Sequence, residues 1–238
     1  MSIDIRFENV FFNYAQSSFG LKDISFSINK GERVAICGVN GAGKTTLLKL
    51  LMGIEFPKRG KIYVQDLELK SNNLKEIRKK VGFVFQNPDS QVFSASVYED
   101  VAFGPRNYGY KEEEVEEMVK KALKAVQLEE QINDSPFRLS FGQRKRVAIA
   151  GVLAMDPDIL VLDEPFANLD YPSKKHLLEI LDKNFTVKGK TIIFATHTRS
   201  VIETWSDKVL LLKEGKIAYD GSTKKLNEIE GIIDILGP

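Results

Sequence analysis

Residues 33–53 read RVAICGVNGAGKTTLLKLLMG. A short apolar run enters a glycine-rich turn, and the turn opens onto a periodic apolar stretch that stops at Gly53. That order predicts strand, tight loop, helix, with the helix over 45–53. The loop itself, Gly38 to Thr45, fits the pattern G-x-x-x-x-G-K-[ST] in its required context. Glycines let backbone N–H groups wrap an anion without a side-chain clash, and the following helix N-terminus adds partial positive charge. Gly38, Asn40, Gly41, Ala42, Gly43, Lys44, Thr45 and Thr46 are therefore the candidate phosphate contacts. Lys44 would reach the β- and γ-phosphates of a nucleotide, and the Thr45 hydroxyl would take part in binding Mg²⁺. The competing reading is an ordinary glycine-rich strand–helix turn.

The rest of the chain fits an α/β architecture. Residues 3–12 and 23–28 alternate as strands do, and IYVQ (62–65) and KVGFVFQ (80–86) read as further strands. ILVLD (159–163) and TIIFAT (191–196) are continuous apolar runs, as in strands buried on both faces. VLLLKEGKIAYDG (209–221) reads as a hairpin. Between them, KEEEVEEMVKKALKAVQL (111–128) places Val115, Met118, Val119, Ala122, Leu123 and Val126 on one helical face, and a second helix is expected from Gly142 to Met155. The pattern predicts a parallel-sheet core, about 1–86 and 156–238, with a helical insert at about 87–155, in one domain over 1–238.

Several polar residues fall at strand ends, where open parallel sheets bind ligands. Asp163 and Glu164 close ILVLDEP; the first would hold the Mg²⁺ shell and the second would polarise an attacking water. His197, in FATHT, could contact the γ-phosphate or orient that water. Gln86, after KVGFVF, could ligate Mg²⁺ or the water through a neutral amide. Tyr14 could stack on a nucleobase or sit in a strand core. His176 falls on a helix expected to face solvent and is given no function. Trp205 reads as helix packing, and Cys37, the one cysteine, as a buried thiol.

Bulk properties exclude more than they select. Lys+Arg total 34 against 33 Asp+Glu in 238 residues, a balance with no global field favouring nucleic acid or an anionic membrane. One cysteine forbids an intramolecular disulfide and fits a reducing compartment. The longest apolar run, VAIAGVLAM (147–155), is far short of the roughly 20 residues of a membrane span. The N-terminus reads as a strand rather than a signal peptide.

LSFGQ (139–143) carries no charge, so its chemistry must come from the backbone. Taken with the motifs above, the chain resembles the nucleotide-binding subunits of ABC transporters over nearly its whole length. Gly38 to Thr45 matches the Walker A loop, Gln86 the Q-loop, LSFGQ the signature, Asp163 and Glu164 the Walker B acids, ANLD (167–170) with Asp170 the D-loop, and His197 the switch histidine. Tyr14 fits the family's adenine-stacking aromatic. The resemblance implies a P-loop NTPase fold, a RecA-like parallel core with an antiparallel β subdomain and an inserted helical subdomain. It also implies that two subunits pair head to tail, each signature closing over ATP and Mg²⁺ held by the other. Ser140 can cap a helix whose N–H groups then face the partner's γ-phosphate, with Gly142 and Gln143 beside it. Phe141 departs from the family's usual LSGGQ, which leaves room for a specialised subunit; a heterodimer is expected over a homodimer.

VGFVFQNPDSQVFSASVYEDVAFGPRNYG (81–109) and RVAIAGVLAM are similar to the ATPases of energy-coupling-factor (ECF) transporters, importers of vitamins and transition-metal ions. That implies a polytopic membrane subunit, a separate substrate-binding membrane protein, and a place on the cytoplasmic face of the membrane. Phe85, Phe93 and Phe103 would either line a groove for the membrane subunit or pack inside. The tail, with Ile229, Ile232, Ile233, Ile235 and Leu236, would either dock on its own domain or help hold the partner. Other ABC importers or exporters, an ABC ATPase acting on nucleic acid or ribosomes, and a small-molecule kinase are the rival readings. The last leaves LSFGQ, ANLD and ATH unused, and the chain lacks the long heptad run common in the nucleic-acid class.

Overall fold

A computed structural model of the chain describes residues 2–15, 19–228 and 232. Its centre is a six-stranded sheet, built from β3 (Arg33–Cys37), β6 (Val81–Val84), β7 (Ile159–Asp163), β8 (Thr191–Ala195), β9 (Lys208–Lys213) and β10 (Lys216–Ser222), in the order β10-β9-β3-β8-β7-β6. β9, β3, β8, β7 and β6 run parallel, and β10 closes the edge antiparallel to β9. β7 and β8 are buried at every position, as their unbroken apolar runs require. Successive side chains point to opposite faces. Leu160, Leu162, Ile192, Phe194 and Ala35 enter one core, while Val161, Ile193, Val34 and Ile36 enter the other.

The second core is shared with a four-stranded antiparallel sheet, β2-β1-β4-β5, made of β1 (Ile3–Asn13), β2 (Gly20–Asn29), β4 (Arg59–Val64) and β5 (Leu67–Glu68). α1 (Lys44–Leu51) is part of the same core through Leu47, Leu48, Leu50 and Leu51. The other face of the central sheet is covered by helices. α3 (Val97–Asn107), α4 (Glu112–Ala125) and α5 (Phe141–Ala154) pack on one another. Their apolar faces join α6 (Tyr171–Leu181), α7 (Arg199–Trp205) and the sheet in one continuous core. α4 buries Val115, Val119, Ala122 and Leu123, the stripe its sequence shows.

Three differences from the sequence expectations have physical causes. The strand expected over 80–86 is shorter at both ends, because Lys80 is the last residue of a short helix, α2 (Leu74–Lys80), and the strand stops at Val84. α2 buries only Ile77, too little to leave a periodic signal. α3 was hidden by Gly104 and Pro105 within it; its usable mark is Ser96, whose hydroxyl accepts from the Glu99 amide at 3.3 Å as the N-cap. The helices expected over 45–53 and 142–155 each begin and end one or two residues earlier, at 44–51 and 141–154.

Trp205 is packing, as expected: it is buried against Phe166 and Phe194, with Nε1 donating to Asp182 Oδ1 at 2.8 Å. Cys37 is buried too, and burial pushes its thiol up to about 12. Ile232 is buried in the helical-side core with Leu226; Ile229, Ile233, Ile235 and Leu236 lie outside the described residues. Among the described residues no helix is long and apolar enough to cross a membrane.

Candidate functional site

The loop after β3 turns back on itself before α1 begins. Gly38 has φ +146°, and a Cβ there would stand 2.3 Å from the Leu212 carbonyl oxygen, so this bend admits only glycine. Gly43, at φ +111°, is the residue on which α1 starts. Lys44 curls into the loop; its Nζ donates to the Gly38 carbonyl at 2.8 Å and the Val39 carbonyl at 3.3 Å. Gly41 has open space around it, whereas Ala42 is buried in the core beneath. The ring of amides and the buried ammonium make a positive concavity suited to a phosphate chain.

Two carboxylates face this loop from the end of β7, which β8 separates from β3. Thr45 Oγ1, in the first turn of α1, donates to Asp163 Oδ2 at 3.1 Å. Burial holds the Asp163 carboxyl above its usual range, opposed by the Thr45 hydrogen bond and reinforced by the adjacent Glu164 charge. A cation beside Asp163 would relieve that cost. The donors fit Mg²⁺, which takes one or two protein oxygens and completes its shell with phosphate and water. They do not fit an all-protein cage: among the described residues no group of three or more His, Cys, Asp or Glu could hold a metal.

Glu164 is set by its backbone. It takes a left-handed conformation, φ 44°, which costs a non-glycine residue of the order of 1–2 kcal/mol. Its N–H donates to the Ala195 carbonyl at 3.1 Å, at the end of β8. Its carbonyl oxygen accepts from Ala167 N at 3.2 Å and from Lys145 Nζ at 3.2 Å. The turn so pinned carries the Glu164 carboxylate to His197, whose Nδ1 lies 3.2 Å from Oε1. Because β7 and β8 are parallel neighbours, with Asp163 paired to Ala195, their ends deliver Glu164 and His197 to the same place.

Asn40, Gly41, Gly43, Lys44, Thr45, Thr46, Gln86, Asp163, Glu164 and His197 thus line one cleft of about 630 Å³. Gln86 reaches it from the segment just after β6. The aromatic on its wall is Phe19, not Tyr14. Tyr14 packs edge-on against Phe12, with ring centroids 4.9 Å apart. Phe19 belongs to no motif; its closeness to Gly43, where a Cβ would meet its ring at 3.1 Å, depends on how the chain folds back and left no mark in the sequence.

LSFGQ is not part of this cleft. Ser140 caps α5: its hydroxyl accepts from Gln143 N at 3.2 Å, and Gln143 Oε1 accepts from Ser140 N at 2.9 Å. Ser140 is exposed, so this helix start lies at the surface. Beside it, Asp170 caps α6, accepting from Ser173 N at 2.9 Å, a bond that keeps its carboxyl below the usual range. A smaller hollow of about 270 Å³ lies between these two helix starts. His176 is on its wall and partly buried, which corrects the expectation of a solvent-facing position: the turn of α6 that carries it leans on α5.

Lys145 is a second residue, with Phe19, that sequence reasoning missed. It reads as one more charge in FGQRKR, yet it is 1% exposed. Burial pushes its ammonium down to about 8, against the pull of Glu164 and Asp163.

Comparison with known proteins agrees with this geometry. The ABC transporter family pattern matches residues 21–167. The energy-coupling factor transporter ATP-binding protein EcfA of Methanocaldococcus jannaschii is 44% identical over 231 residues, covering 96% of this chain and 82% of the relative. The structure of cbiO1 from Clostridium perfringens, described as part of the ABC transporter complex cbiONQ, superposes with a TM-score of 0.87 at 38% identity, covering 98% of this chain and 94% of the other. The ATP-binding cassette MJ0796, solved as a dimer in a post-hydrolysis state bound to ADP and Pi, gives a TM-score of 0.82 at 30% identity, covering 92% and 98%. With the P-loop NTPase fold, the phosphate loop and the strand-end acids in place, the chain belongs to the ABC transporter family as an ATP-binding subunit and is an ATPase.

Proposed function

We propose that this chain is the ATP-hydrolysing subunit of an ECF-type importer for a vitamin or a transition-metal ion. The observation that carries the ATPase half is the single cleft that joins the Thr45–Asp163 pair to the Glu164–His197 pair around the phosphate loop. The importer half rests on the similarity to EcfA and cbiO1.

The phosphate loop and Lys44 bind the triphosphate. Phe19, on the cleft wall, would stack on the base, with Tyr14 the alternative. Thr45 and Asp163, with Gln86 approaching from β6, would hold Mg²⁺, which would neutralise charge on the β- and γ-phosphates. Glu164 accepts the proton of the attacking water, and His197 holds Glu164 and the γ-phosphate in register. Water then adds to the γ-phosphorus and the bond to the β-phosphate oxygen breaks, leaving ADP and phosphate.

The signature turn does not line the cleft of its own chain, and the capped start of α5 lies at the surface. A head-to-tail pair of subunits accounts for both, the Ser140–Gly142 turn of one closing on the nucleotide of the other. Phe141 in that turn favours a second, different ATPase as partner. ATP stabilises the closed pair and hydrolysis releases it, so the difference in affinity between the two states is the source of work. Residues 87–155 form the helical subdomain that transmits the movement. Phe85, Phe93 and Phe103 are 37%, 59% and 50% exposed, and Phe93 and Phe103 stack edge-on at 5.1 Å. An apolar surface of that kind fits a helix of a polytopic membrane subunit at the cytoplasmic face, with a separate membrane protein binding the substrate.

The test is capture of the tagged chain from detergent-solubilised membranes, with its companions identified by mass. A second ATPase together with a polytopic membrane protein is the expected result. Companions that are only water-soluble proteins or nucleic acid would keep the ATPase chemistry and discard the transport role.

A further inference from the structure

Lys145 sits where a long apolar side chain would serve packing better. It is among the largest fully buried side chains, and an ammonium out of water is costly unless something is gained from its charge. Among the described residues its one hydrogen-bond acceptor is the Glu164 carbonyl, at 3.2 Å. That carbonyl closes the left-handed turn that aims the catalytic carboxylate. The same ammonium lies 5.7 Å from the ring centroid of Phe141, the first residue of α5 and the odd member of LSFGQ. Lys145 is one turn further along that helix, so the contact is the i,i+4 neighbour relation of an α-helix. Leu169, just before the Asp170 cap, borders the same turn at Gly142.

We propose that Lys145 is a positioning residue that couples the two ends of its own subunit: its ammonium holds the Glu164 turn in the geometry for hydrolysis, and through Phe141 it ties that turn to the helix start that engages the partner's nucleotide. Engagement of the signature then bears on the same subunit's glutamate, so each ATP site senses whether the other has closed. Phe141 in place of a glycine gives the ammonium a ring to rest on, a role for this departure within its own subunit. The inference rests on the head-to-tail pairing proposed above.

The experiment uses the full chain purified with the ATPase it pairs with, and compares Lys145→Met, Lys145→Gln and Phe141→Leu. Lys145→Met keeps length and apolar packing but removes the donor. It should lower kcat roughly ten- to hundredfold, since a small misplacement of a catalytic group has effects of that size. KM for ATP should stay within about twofold, and the melting temperature should not fall, because a buried charge has been removed. Lys145→Gln retains a donor and should recover most of the loss. Phe141→Leu should lower kcat by a few-fold, and combined with Lys145→Met should add nothing further, as expected of residues acting as one unit. Native kcat in Lys145→Met, while ATP still draws the subunits together, overturns the positioning role and leaves the pairing intact. A kcat loss accompanied by a lower melting temperature and no recovery in Lys145→Gln also overturns it, in favour of simple packing. If ATP does not draw the native subunits together, the pairing fails and this inference fails with it.

Discussion

The phosphate-loop cleft and the signature turn are both built on helix N-termini, yet they are finished to different degrees. α1 starts beneath a loop whose lysine bonds the loop carbonyls and whose threonine already bonds the facing Asp163 carboxylate. α5 starts on an exposed serine with a complete capping box, outside that cleft. One is a preorganised cleft suited to a phosphate chain; the other, on the head-to-tail pairing proposed above, is half of a site. On that proposal the catalytic groups of a single chain are complete while the reaction still waits for a second subunit.

Breaking the finished side should have the largest effect. Glu164→Gln should lower turnover by about 10²–10⁴-fold, the usual worth of a general base, with nucleotide affinity retained. Single-turnover hydrolysis against equilibrium nucleotide binding separates the two, and normal turnover would remove Glu164 from its role. Lys44→Ala removes a charge-assisted bond to phosphate of about 1.5–3 kcal/mol, roughly ten- to hundredfold in ATP affinity. Titration of a fluorescent nucleotide reads it directly, and unchanged affinity would contradict the role of Lys44.

A smaller effect sharpens the same comparison. Phe19→Ala should weaken ATP severalfold while leaving inorganic triphosphate unchanged, because only the base is stacked. Tyr14→Ala should weaken ATP less, since its ring is turned onto Phe12. The reverse order would restore Tyr14 as the stacking residue.

The smallest effect concerns stability and pH. The folded Lys145 ammonium titrates near 8 rather than at its ordinary 10.5. Between those values the unfolded chain binds more protons than the folded one, so this group's contribution to stability rises with pH across that window. Without nucleotide or Mg²⁺, Lys145→Met should exceed the native melting temperature most below pH 8 and lose that advantage toward pH 10.5. A constant difference would show that the lysine stays charged or is solvated.

How much of this was legible depended on whether a feature is local. The phosphate loop, the buried strands and the acids at their ends follow from consecutive residues, because a parallel strand buried on both faces has an unbroken apolar run. The capping of α5 by Ser140 was legible for the same reason. Phe19 and Lys145 were not, because each matters through a contact made by a distant part of the chain. A lysine among RKR reads as solvated until the Walker B turn is packed over it. Likewise the hollow that His176 shares with residues of α5 is a property of packing and leaves no pattern in SKKHLLEIL.

On the pairing proposed above, LSFGQ serves the partner's nucleotide and not its own. Ser140→Asp tests it most directly, because aspartate preserves the N-cap while placing a negative charge before the γ-phosphate. In a Glu164→Gln background, ATP binding by the isolated subunit and ATP-driven pairing with its partner would be measured side by side. Unchanged ATP affinity in the isolated subunit and loss of the ATP-locked pair are the expected results. A fall in isolated-subunit affinity comparable to that of Lys44→Ala, or a pair that still locks at full strength, would contradict that role of LSFGQ.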